Sequence, residues 1–125
     1  MKAVDVAPGI WAWAAPHPEW HQGLGWEADV WCYLVETGDV TLVVDPLLPP
    51  GDEREIWRRL DAARRLAVVL TQAAHVRNAG DVARRYGVAV WGHEAAREKL
   101  GGAPFHPLGA GDEIPGGALV LGFDQ

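Results

Sequence analysis

The chain has 125 residues, enough for one domain that buries roughly two thirds of the surface its unfolded form would expose. Hydrophobic residues make up 49% and charged residues 22%, which excludes a disordered chain. Lys and Arg number 11 against 17 Asp and Glu, a net charge of −6, which argues against a basic face for nucleic-acid backbones. No run approaches the ~18 apolar residues of a membrane span.

The chain contains no Ser, which removes serine-nucleophile chemistry, and the single cysteine, Cys32, forms no internal disulfide. The opening MKAVDVAPGIWAWAAP carries one positive charge and is interrupted by Asp5 and Pro8, unlike a secretory signal. A cytoplasmic protein is therefore expected.

Val4 and Val6 begin a short edge strand, and a second strand near 10–14 follows the Pro8-Gly9 turn. An irregular loop then runs to about residue 28. It holds Trp20 and Trp26, with His17 and His21 among Pro16 and Pro18. Aromatic side chains on a long loop are candidate binding contacts, which nominates Trp20 and Trp26. The prolines oppose a helix here, so the spacing of His17 and His21 does not place them on one face.

Residues 30–36 and 40–44 read as a hairpin closed by Thr37-Gly38-Asp39 and ended by Asp45-Pro46. Asp52 and Glu55 have capping-box spacing for a helix over 52–65. Ile56, Trp57, Leu60 and Ala63 share its apolar face, and Arg54, Arg58, Asp61 and Arg65 its solvated one. The apolar run 66–71 predicts a strand buried on both faces, followed by the loop TQAAHVRNAG. A helix over 78–86 stops at Gly87, a short strand takes 88–91, and a short helix takes 93–100. His106 falls in a loop, and ALVLGF reads as a last strand. The pattern is α/β with a mixed sheet, in a single domain over 1–125.

This layout, with strands ending in Val44-Asp45-Pro46 and Thr71 and a Trp91-Gly92-His93-Glu94 segment, resembles the N-terminal half of the metallo-β-lactamase superfamily over roughly residues 5–123. The resemblance implies half of an αββα sandwich: a mixed β-sheet with helices on one face. It also implies a hydrolase with a metal loop, T-H-x-H-x-D-H-x-G, after a strand. Here the loop reads Thr71-Gln72-Ala73-Ala74-His75-Val76-Arg77-Asn78-Ala79-Gly80. Without a gap, Gln72, Ala74, Val76 and Arg77 take the ligand positions. With one inserted residue, His75 takes the second His and Gly80 the Gly, while Arg77 replaces the Asp and Asn78 the last His. The second register is preferred because it recovers two matches, and neither restores a dinuclear site. Asp45 matches the Asp that organises this loop in the family. The family's remaining ligands belong to a C-terminal half that follows a P-G-H segment, and this chain stops before it.

The expected function is that of a degenerate superfamily member without a dinuclear zinc centre, acting as a small-molecule or anion binding or interaction protein. Two alternatives stay open: a superfamily hydrolase with a non-standard or partner-completed metal site, and a truncated structural fragment. The candidate binding residues are His75, Arg77, Asn78, Asp45, Trp20 and Trp26, and His75 is also the candidate metal ligand. No cofactor is firmly implied, because zinc held by one histidine of the motif is bound weakly. The Arg77 fork, a helix N-terminus near Asn78 and a protonated His75 would together suit a small anionic ligand. Cys32, with no activating cation nearby in sequence, reads as a buried structural thiol. Helices cover one sheet face only, so a homodimer through the open face is expected, with no nucleic-acid or membrane partner.

Overall fold

The computed structural model describes residues 1–118 and 120. Four antiparallel strands come first: β1 (Lys2–Ala7), β2 (Ile10–Pro16), β3 (Asp29–Glu36) and β4 (Thr41–Val44). β5 (Leu66–Val69), β6 (Val90–Gly92) and β7 (Phe105–Pro107) then add in parallel, so the sheet runs in sequence order, β1 to β7. Parallel neighbours need crossover connections. These are helix α1 (Arg54–Asp61), helix α2 (Ala79–Tyr86) and a 3-10 stretch over Glu94–Lys99.

Alternation along each strand divides the core in two. On the helix side, Trp11, Trp13, Cys32, Leu34, Val43, Val68 and Val90 pack with Ile56 and Leu60 of α1, Val82 and Ala83 of α2, and Ala96 and Leu100. On the other side, Leu42, Ala67 and Val69 pack with Val40, Leu108 and Ile114, with Val120 against them. The apolar runs of β4 and β5 are therefore buried on both faces, as their composition requires. The helices do lie on one face only.

The open face is covered in part by the chain itself, through the segment carrying Leu108 and Ile114. What remains uncovered lies nearer the β1 edge: Val4 is 46% exposed, Val6 55%, Trp31 42% and Tyr33 37%. This narrows the surface that the sequence assigned to a partner copy.

Several boundaries differ from expectation. Helix α1 starts at Arg54, with Glu53 at its N-cap and no side-chain cap bond. Asp52 accepts a hydrogen bond from the chain's N-terminus instead, and the Glu55 carboxylate is taken by Arg58 and Arg59. Competing charge pairs have thus replaced the capping box. The helix expected at 93–100 is 3-10, and His106 sits in a strand, β7, that sequence reading placed in a loop. The strand expected at 118–123 lies largely outside the described residues. No helix among the described residues is long and apolar enough to cross a membrane.

Candidate functional site

The topology gathers polar chemistry at one edge of the sheet. β4 to β7 run parallel, so their C-terminal ends lie together, and antiparallel pairing brings the end of β2 and the start of β3 to the same edge. All five histidines are placed there: His17 and His21 follow β2, His75 follows β5, His93 follows β6 and His106 lies in β7. Ligands of open α/β sheets bind outside this kind of strand end.

Asp45, the residue after β4, is the centre of the edge. Its backbone N–H continues the ladder to Val69, but its φ of 49° is left-handed, a region that Asp enters more readily than most residues. The turn aims a carboxylate that is itself buried, the residue being 6% exposed. Oδ1 accepts the Thr71 backbone N–H at 2.8 Å, and Oδ2 accepts the Thr71 hydroxyl. Oδ2 also lies 3.0 Å from His75 Nδ1. An ionised carboxylate can only accept, so Nδ1 carries the hydrogen in this pair, and Nε2 of the neutral ring is an acceptor. His75 ends a 3-10 turn over Ala73–His75 whose apolar Ala73 is buried, and its own side chain is 31% exposed. The core thus holds the turn while the ring reaches solvent.

Arg77 and Asn78 face inward to the scaffold. Arg77, also left-handed with φ 44°, directs Nη1 to the Asp45 carbonyl at 2.7 Å, the Trp31 carbonyl at 3.3 Å and Cys32 Sγ at 3.8 Å. Asn78 accepts the Leu48 N–H through Oδ1 at 2.7 Å and donates through Nδ2 to Asp81. Its backbone N–H reaches the Pro46 carbonyl. These contacts sew the loop after β4 to the start of α2, so Asn78 organises the site's backbone. Burial pushes the Cys32 thiol up to about 11, against the Leu47 N–H and Arg77, which pull it down, so the thiol is inert at neutral pH.

Trp20 and Trp26 form a cluster of their own. Trp20 Nε1 donates to the Trp26 carbonyl at 2.7 Å, and His17 meets the Trp26 ring edge-on at 5.2 Å. Both indoles remain well exposed. The structure therefore brings His75 and Arg77 each into contact with Asp45, ties Asn78 to the loop after β4, and leaves the two tryptophans on the loop at the same edge. Sequence reading missed Thr71 as a site residue; its signal was a polar residue closing an apolar strand. A cleft of about 340 Å³ opens at the opposite edge, lined among others by Asp5, Trp11, Glu36 and Arg59. Its Arg59 already lies over Trp11 and bonds Glu55.

The family model of the metallo-beta-lactamase superfamily matches residues 25–124. The chain belongs to that superfamily. Solved structures of metallo-beta-lactamases share its fold. The DIM-1 enzyme exposed to ceftazidime superposes with a TM-score of 0.66 at 15% identity, covering 93% of this chain and 55% of the other. The metallo-beta-lactamase from Hirschia baltica gives 0.56 at 19% identity, covering 90% and 55%. The chain thus spans about half the length of these structures. No match is found among curated proteins. Among the described residues of this superfamily member, no group of three or more His, Cys, Asp or Glu side chains is placed to hold a metal ion.

Proposed function

We propose that this metallo-beta-lactamase superfamily member binds a small polar molecule, an anion included, at the Asp45–Thr71–His75 edge, without a dinuclear zinc centre. The observation that carries the reading is the hydrogen-bonded group itself. Asp45 holds Nδ1 of His75 at 3.0 Å, which leaves Nε2 without a role in that bond on a side chain that is 31% exposed. A neutral Nε2 accepts from a ligand hydroxyl or amine, and a protonated ring donates to a carboxylate or phosphate. Trp20 and Trp26 supply apolar surface at the same edge.

The donor set does not fit the zinc centre that the superfamily implies. In the preferred register Arg77 stands at the carboxylate position, and a permanent guanidinium opposes a divalent cation. The Asp45 carboxylate is already engaged by Thr71 and His75. Structural and catalytic zinc sites use three or four protein ligands, which these residues do not assemble.

The test is a titration with inorganic phosphate and citrate, followed in the His75 ring resonances, together with elemental analysis of protein purified without chelator. The expected result is ring shifts that saturate in the wild type and are lost in His75→Ala, with less than one zinc per chain. Two zinc ions per chain, or identical titrations for both proteins, would overturn the reading. The same pair supports a second reading, in which His75 acts as general base toward a water, because a carboxylate on Nδ1 orients an imidazole for that role. Turnover of a small activated ester that disappears in His75→Ala would select it.

A further inference from the structure

Three segments distant in sequence meet at one guanidinium. Arg77 belongs to the loop between β5 and α2. Its Nη1 reaches the carbonyl of Asp45 after β4, the carbonyl of Trp31 in β3 and the thiol of Cys32 beside it. Two carbonyl oxygens and a sulfur, all acceptors, converge on one permanent cation. The residues at its two ends, Arg77 and Asp45, both hold left-handed backbone, which is costly for residues other than Gly and persists where surrounding bonds over-determine it.

A bound metal stabilises a loop by tying distant ligands to one positive centre. We infer that Arg77 is an internal cation that replaces a metal as the cross-link of this loop, fastening it to β3 and β4 and positioning Asp45 against His75. The inference rests on the metal-free reading of the site. It does not depend on any ligand binding there.

Arg77 is then a positioning residue. It touches neither Thr71 nor His75 through any bond described above, and it acts on the ring through the backbone of Asp45. All three acceptors meet one nitrogen, Nη1, at the tip of a rigid planar group, whereas a lysine ammonium is a point charge on a flexible stem. The charge alone is therefore insufficient.

Thermal unfolding of the wild type, Arg77→Ala and Arg77→Lys, each in EDTA and in excess zinc chloride, is the first measurement. Nitrogen-15 spectra of the His75 ring, which report the tautomer, are the second. The wild type should show one Tm in both solutions and a single Nδ1–H tautomer. Arg77→Ala should lower Tm by about 5–10 °C and give mixed tautomers, and Arg77→Lys should recover less than half of either change. A wild-type Tm that falls in EDTA would overturn the inference, as would an Arg77→Ala variant that matches the wild type in both readouts. If Arg77→Ala does not fold, Arg77→Lys decides alone: wild-type behaviour overturns the cross-link, and a lowered Tm with mixed tautomers supports it. Loss of phosphate or citrate binding with these results intact would count against the ligand reading only.

Discussion

Asp45 commits both carboxylate oxygens to the protein, to Thr71 N–H, Thr71 Oγ1 and His75 Nδ1. Removing the carboxylate strands a backbone donor and releases the ring. Asp45→Ala should cost about 3–5 kcal/mol, since each lost partner is worth about 1–3 kcal/mol and alanine tolerates left-handed backbone poorly. Asp45→Asn tolerates the φ of 49° and keeps an acceptor for Thr71 N–H, so its cost should be about 1–2 kcal/mol. Urea denaturation of the two variants checks this, and equal costs would mean that neither the retained acceptor nor the left-handed backbone contributes. The sequence nominated Asp45 and His75 separately. It gave no sign of their hydrogen bond, because 30 residues separate them and the sheet order alone makes them neighbours.

The elements that hold the site were legible where periodicity is local. The hairpin of β3 and β4 and the amphipathic face of α1 follow from alternation and from helical spacing. The start of α1 was misread because Glu55 had a stronger use. Hydrogen bonding from Arg58, with Arg59 adding to it, holds its carboxyl down at about 2, so the side chain serves its own helix face. The segment after β7 carries no periodicity long enough to read; it packs Leu108 and Ile114 on the sheet and meets the β3–β4 turn in one close fit. Gly116 has φ 94°, and a Cβ there would fall 2.1 Å from Thr37 Oγ1, the hydroxyl that donates to Val40 and closes the β3–β4 turn. Gly116→Ala should therefore cost about 2–4 kcal/mol, combining overpacking with left-handed strain, and should raise dye binding to the uncovered sheet face. Gly117→Ala carries similar strain, with φ 91°, but meets only Glu113 Oε1 at 3.8 Å, so its cost should be about 1–2 kcal/mol. Matching losses at both positions would show that the segment does not pack on the turn.

At the scale of the whole molecule, stability should fall in alkali through buried groups. The unfolded Cys32 thiol ionises near its ordinary value of 9.0, whereas burial holds the folded one at about 11. Between these values the native state keeps a proton that the unfolded state has lost, so stability decreases as pH rises from 9 to 11, and this group has no effect below. Tyr86, pushed to about 12 by burial and by its hydrogen bond to Asp61, adds to the decline above pH 10. Cys32→Ala should flatten the fall between pH 9 and 10 in denaturation curves, and an unchanged slope would place its cause elsewhere. The amino-acid sequence by itself determined the α/β order of elements and the burial of β4 and β5 on both faces. Both are properties of composition or spacing within a few residues. Only the tertiary structure decided that Arg77 turns to the carbonyls of Trp31 and Asp45, that Thr71 joins Asp45 and His75, and that residues 108–118 fold back over the sheet. A hydrogen-bond partner or a covering segment is chosen by which strand ends the sheet brings together, and no local propensity encodes that choice.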